Sequence, residues 1–141
     1  MRTIKLTLLL LMIIACIKTS KAQESAHTVK VIISNITSND GYIRVGLYNT
    51  ASNFLTKTYK PTRIKAKTGS VEVYFINIPA GEYAISLYHD IDDNKRLNTL
   101  FKIPTEPYAT SNNAKGIFGP PKWVDAKFYV KDTDLVQNIS L

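Results

Sequence analysis

The chain has almost no cysteine. Its one cysteine, Cys16, lies in a segment expected to be removed. The rest then has no disulfide, no thiol nucleophile and no thiolate metal site. Acids are also scarce, 11 against 18 Lys and Arg, for a net charge of +7. That balance looks like a nucleic-acid signal, but Arg2, Lys5, Lys18 and Lys21 all precede the first acid, Glu24. Without those four, +7 falls to +3, and no Lys/Arg run survives, which argues against nucleic acid as a partner. There is no G-x-S-x-G elbow for a hydrolase nucleophile. No stretch of any length has helical periodicity, and no segment repeats. The longest apolar run, Leu6 to Ile17, is broken only by Thr7 and is too short to span a bilayer needing ~20 residues.

What is present begins with that run. Arg2 and Lys5 form a basic leader, and Ser20-Lys21-Ala22 places small residues where a signal peptidase reads. Residues 1–22 are therefore expected to be a cleaved signal peptide. Residues 23–141 would be the mature, exported chain, periplasmic or extracellular. Ile13-Ile14-Ala15-Cys16 resembles a lipobox, so a lipoprotein anchored through Cys16 is the minor alternative. The apolar run continues past Cys16, which favours cleavage after Ala22. A chain of 141 residues with 45% hydrophobic and 21% charged residues suits one globular domain.

From His27 onward apolar residues recur at every second position, the period of a half-buried strand. Val29, Val31 and Ile33 share one face, then Ser38-Asn39-Asp40-Gly41 turns the chain. Ile43, Val45 and Leu47 follow, and the two runs read as a hairpin. Ala51 to Leu55 suits a short helical turn, with Phe54 covering a core edge. Residues 62–67 read as a charged edge strand. Val71, Val73 and Phe75 alternate, as do Tyr83, Ile85 and Leu87 after the Pro79-Ala80-Gly81 turn. By parity His89 ends that strand on the inward face. Tyr83 has the placement of a corner tyrosine whose hydroxyl pins the turn. Ala126, Phe128 and Val130 predict a penultimate strand, and Leu135 to Leu141 a last one. The expectation is an all-β fold: a single antiparallel β-sandwich of about seven strands, immunoglobulin- or transthyretin-like, with one long loop over residues 90–122. Loops of that length are uncommon unless functional or disordered.

Candidate chemistry concentrates at the start of that loop. Asp90, Asp92 and Asn94 have the D-x-D-x-N spacing that curls oxygen ligands around calcium, and Asn98 falls at the ninth position. The sixth position, where a sharp turn wants Gly, holds Lys95, and the twelfth, where a bidentate Glu belongs, holds Phe101. Glu106 is the nearest replacement carboxylate. The plainer reading is a set of turns stabilised by Asp and Asn side chains, with Asn94 in a left-handed conformation. His89, Asp90, Asp92 and Glu106 together define the enzyme alternative, a small metal-dependent catalyst. His89, Glu106, Tyr108 and Trp123 are the candidate binding residues, with Phe118 beside them. Aromatics in such a loop either anchor it or form a platform for a glycan.

Several motifs have a further likeness. Asn77-Ile78-Pro79-Ala80-Gly81-Glu82-Tyr83-Ala84-Ile85, Tyr88-His89-Asp90, Ile103-Pro104-Thr105-Glu106-Pro107-Tyr108, Ser111-Asn112-Asn113, Gly119-Pro120-Pro121 and Asp125-Ala126 resemble the exported bacterial family called domain of unknown function 2141. The resemblance implies an exported β-sandwich and no assigned activity. In that family the acidic segment reads His-Asp-x-Asn-x-Asn-Gly-Lys-Leu-Asp. This chain keeps His89, Asp90, Asn94 and Leu97. It has Asp92 for Asn, Lys95 for Gly, Asn98 for Asp, and Lys102 where a Gly usually precedes Ile103-Pro104. The expected function is a non-catalytic binding or structural module at the cell envelope. It would be monomeric, with a protein or glycan partner and calcium as the one candidate cofactor.

Overall fold

Alternating apolar residues build two sheets whose inner faces meet. The computed structural model describes residues 26–117 and 119–141. The expected signal peptide, Cys16 and Phe118 lie outside the described residues. The first sheet joins β10 (Leu135–Ser140), β1 (Ala26–Ile36) and β4 (Gly69–Pro79) in that order. The second runs β3 (Lys60–Lys65), β2 (Tyr42–Tyr48), β5 (Gly81–Asp90) and β8 (Tyr108–Thr110). β9 (Phe128–Val130) pairs the first part of β5, through Gly81 to Tyr83, while β8 pairs a later part, through Ser86 to Tyr88. One edge of β5 is thus shared by two short strands. A two-stranded hairpin, β6 (Thr99–Leu100) and β7 (Ile103–Pro104), projects from the long connection. A one-turn helix, α1 (Trp123–Ala126), leads into β9.

The faces follow the sequence pattern. Val29, Val31, Ile33, Val73, Phe75 and Ile139 of the first sheet are buried against Ile43, Val45, Leu47, Ile85 and Leu87 of the second. Each such side chain contributes on the order of 1.5–3 kcal/mol when fully withdrawn from water. Every member of this core lies between Val29 and Ile139. The Tyr83 hydroxyl donates to the Pro79 carbonyl at 3.0 Å, so the corner tyrosine ties the β4–β5 crossing as expected.

Four expectations need correction. β1 and β2 do not form a hairpin; they belong to different sheets. Period-two alternation specifies an inward face equally well for strands side by side and strands face to face. Gly41 lies in the turn between β1 and β2 with a φ of +63°, and a side chain there would collide with the Asp90 carbonyl. The sandwich is also not wholly antiparallel, because β1 and β10 pair in parallel, Val29 opposite Leu135 through Ser34 opposite Ser140. The long connection is not plain loop, since β6, β7 and β8 form within it. Finally, Ala126 belongs to α1 rather than to β9.

Candidate functional site

The acidic segment begins where β5 ends. Cross-strand register places Tyr42 opposite Asp90 and Arg44 opposite Tyr88. By parity these four share the outer face, while Ile43 and His89 point inward. Arg44 and Asp90 are therefore diagonal neighbours, within reach of a long side chain. The Arg44 guanidinium donates through Nε to Asp90 Oδ2 and through its terminal nitrogen to Asp93 Oδ1 at 2.6 Å. The hydrogen bond to Asp90 raises the pKa of Arg44 further above its ordinary value. The Asp90 side chain is completely buried, so it needs such partners inside the fold.

Asp90 also organises the backbone that follows. Its Oδ1 accepts from the Asn94 amide at 3.0 Å and its Oδ2 from the Lys95 amide at 3.0 Å. Asp92 Oδ1 accepts from the Asn94 amide at 3.2 Å, and Asn94 Oδ1 from the Arg96 amide at 3.0 Å. These are the local side-chain turns expected of Asp and Asn. Asn98 Nδ2 donates to Asp92 Oδ2 at 3.1 Å, and that bond is the largest influence holding the Asp92 carboxyl below the usual carboxylate range. The left-handed residues are Asp93 (φ 54°) and Lys95 (φ 70°), and Asn94 is not among them. The correction is informative: Lys95 occupies the conformation that the expected Gly would adopt without strain.

Glu106 closes the segment from the far side. Its Oε1 accepts from the Ile91 amide at 3.0 Å and its Oε2 from the Asn98 amide at 2.9 Å. The neighbouring Pro107 carbonyl accepts from the His89 amide at 2.9 Å, which continues the β8 edge. One carboxylate thus fastens both ends of the 91–98 turn to the link between β7 and β8.

The structure brings Asp90, Asp92 and Glu106 together, each offering a carboxylate oxygen within 4.8 Å of the others. Opposed oxygens around calcium lie about twice 2.3–2.6 Å apart, so the spacing suits that ion. Asn98 Oδ1 instead accepts from Asn94 Nδ2 at 2.6 Å, and the Asn94 oxygen is engaged with Arg96. His89 stands outside the group. It is buried, and its Nε2 lies 2.7 Å from the Asp40 carbonyl.

The aromatics divide. Trp123 is half-buried, edge-on to Phe54 at 5.7 Å, and Phe54 in turn meets Tyr48 at 5.4 Å. Tyr108 is exposed and lines a groove of about 580 Å³. Leu55, Leu97, Ile103, Pro104 and Ile117 share its lining.

Sequence reasoning missed Arg44, whose partner is defined only once β2 lies beside β5. It also left Ser111-Asn112-Asn113 without a role. Buried Ser111 accepts from the Ile85 amide at 2.9 Å and donates to the Ala126 carbonyl at 2.5 Å. Asn112 Nδ2 donates to the Asp125 and Lys127 carbonyls at 3.0 and 2.9 Å, and Asn113 Oδ1 accepts from the Ser140 amide at 2.9 Å. Three consecutive polar residues therefore join β5, α1 and β10. The advance signals were their small, hydrogen-bonding chemistry inside an otherwise aperiodic stretch and their place among the motifs that carry the family resemblance.

Comparison with curated proteins gave no match, and comparison with solved structures gave none. A family model described as an uncharacterised protein conserved in bacteria, DUF2141, matches residues 31–138, the span that carries both sheets, the acidic segment and the groove. The chain therefore belongs to this uncharacterised bacterial family.

Proposed function

We propose that this chain is a non-catalytic, exported binding module of the cell envelope that engages its partner through the groove and the connection over residues 91–121. The observation that carries the reading is the groove itself, about 580 Å³ and lined by Tyr108, Ile103, Ile117, Leu55 and Leu97. Its size falls in the range of sites that enclose small ligands or side chains of a partner. The acidic residues serve a different purpose in this reading. Their oxygens are engaged with Arg44, with Asn98 and with the amides of Ile91, Asn94, Lys95 and Asn98, which shapes the connection. The inward turn of His89 separates its imidazole from the carboxylates, which weighs against the enzyme alternative. The packing of Trp123 on Phe54 weighs against a glycan platform.

The test is an apolar fluorescent probe, anilinonaphthalene sulfonate, added to the folded protein. Saturable binding that is lost in Ile103→Asp, with the near-ultraviolet signal of Trp123 retained, is the expected result. Absence of saturable binding would remove the groove reading.

The three convergent carboxylates support a second reading, in which calcium held by Asp90, Asp92 and Glu106 stabilises the connection. A ligand bound only by the folded state adds about 2.7 kcal/mol at a hundredfold excess over its Kd. Melting in excess calcium and in excess chelator separates the two. A rise lost in Asp92→Asn establishes the ion; coincident curves leave hydrogen bonds as the device that shapes the segment.

A further inference from the structure

The β6–β7 hairpin carries an unusual tip. Leu100 is 61% exposed, Phe101 90% and Ile103 69%. Ile117, from the far arm of the same connection, is also 90% exposed, and it lines the groove together with Ile103. Large apolar side chains this open, gathered from two segments around one groove, mark an interaction surface. The turn joining β6 to β7 is Phe101-Lys102, and both residues have positive φ, 50° and 67°. Two-residue hairpin turns of this hand favour Asn-Gly, because side chains there are strained. Strain retained at an exposed apolar tip is a pointer to function.

Asp92 and Asp93, which precede the hairpin, are tied to Asn98 and Arg44, and beyond them the charge is of one sign. Lys95, Arg96, Lys102, Lys115 and Lys122 lie between residues 94 and 122, and Glu106 is the only acid in that span. Glu106 is buried, with both oxygens engaged by backbone amides. None of the five cations forms an ion pair among the described residues. Apolar fingers set among unpaired, flexible cations suit a diffuse anionic surface in which hydrocarbon lies just below the charge. A protein partner would call for a broader patch with fixed polar partners at its rim.

We infer that the 99–104 hairpin and Ile117 form an interfacial anchor that inserts into an anionic lipid surface, with Lys102 and Lys115 contacting the headgroups. This inference rests on the groove reading above and names its partner. The experiment uses residues 23–141, the expected mature chain, which hold every member of the two-sheet core and omit the separate apolar run at residues 6–17. The protein is sedimented with vesicles of phosphatidylglycerol and phosphatidylcholine in equal parts, and with pure phosphatidylcholine vesicles. Binding to the anionic vesicles, weakened by about 1 M salt, is expected. Phe101→Ser and Ile117→Ser should each lower that affinity about tenfold or more. Lys102→Ala and Lys115→Ala should each lower it about fivefold. These side chains are exposed, and an unchanged Trp123 near-ultraviolet signal checks that the fold survives.

Equal binding to both vesicle types, or anionic binding indifferent to Phe101→Ser and Ile117→Ser, would overturn the anchor. Absence of vesicle binding with the fluorescent probe still in the groove overturns the lipid partner alone and leaves the groove to a protein. Loss of both signals ends both readings.

Discussion

The two-sheet body and the 91–121 connection handle apolar surface in opposite ways. In the body, Val29, Val31, Ile33, Ile43 and Leu47 are wholly buried, and alternation sends polar residues outward. In the connection, Phe101 and Ile117 stay 90% exposed, while the acidic side chain of Glu106 is buried. The body is held by apolar packing; the connection is held by carboxylates and amides that fold it back on itself. The backbone differs too. Asp93, Lys95, Phe101, Lys102, Asn112 and Asn113 of the connection have positive φ, against only Asn35 of β1 and Asn77 of β4 among the non-glycine residues of the described sheet strands that form the body. A packed core can hold a fold whatever its loops do, but a hydrogen-bonded knot can hold an apolar tip out in water. That division lets surface chemistry vary without endangering the sheets.

The comparison is broken most severely from the body side. Ile33→Ala should destabilise the whole domain by about 3 kcal/mol, through lost transfer free energy and the cavity left between β1 and the facing sheet. Denaturant unfolding would show a lower midpoint with an unchanged slope. Glu106→Gln should cost about 1–3 kcal/mol, because one of the two backbone amides loses its acceptor. Its effect should be local: hydrogen exchange at the Ile91 and Asn98 amides accelerates while the β1 and β4 amides stay protected. A uniform loss of protection would show that knot and body are one cooperative unit, and the distinction would fail.

Opposite in sign are Lys95→Gly and Lys102→Gly. A non-glycine residue in the left-handed region costs roughly 1–2 kcal/mol, partly offset by the greater freedom of glycine in the unfolded chain. A net gain of about 0.5–1 kcal/mol each is expected on thermal melting. Lys102→Gly should at the same time weaken binding to anionic vesicles. A stability gain without that loss would place the hairpin strain outside function.

The regions also differed in how legible they were. The inward faces of β1, β2, β4 and β5, the buried position of His89 and the tie from Tyr83 to Pro79 could be read from alternation and turn chemistry, because each depends on neighbours in sequence. The assignment of β1 and β2 to different sheets could not, since side-by-side and face-to-face strands demand the same alternation. The parallel pairing of β10 with β1 joins residues about a hundred positions apart and leaves no local mark. In the connection, the spacing of Asp90, Asp92 and Asn94 marked a turn and Glu106 was the acid to add, but the parts of Arg44 and Ser111 emerge only after β5 has neighbours. Positive φ at Lys95 and Lys102 was foreshadowed by the resemblance, which puts Gly at both places. The exposed Phe101 and Ile117 sat in a stretch without periodicity, where pattern is silent about side.

The smallest effect sharpens the comparison through pH. Hydrogen bonds from Asn98 and Asn94 hold the Asp92 carboxyl below its ordinary range, so the folded connection prefers the carboxylate. A group with a depressed folded pKa contributes stability that is complete above its unfolded value, about 3.9, and is lost as pH falls through the lower folded value. Acidification from near pH 4 downward should therefore loosen the connection, seen as faster exchange at the Asn94 and Asn98 amides. Glu72 and Glu82 on the body also have lowered pKa values, from Lys30 and from Tyr129 with Lys127, and they will contribute their own acid dependence. The informative quantity is thus the difference between the wild-type chain and Asp92→Asn. That variant keeps an acceptor oxygen but cannot titrate, so its connection should lose part of this acid sensitivity while the body's dependence is unchanged. Equal acid profiles in the connection would show that Asp92 is held equally well with and without its proton, and the knot would then owe its shape to Asp90 and Glu106 alone.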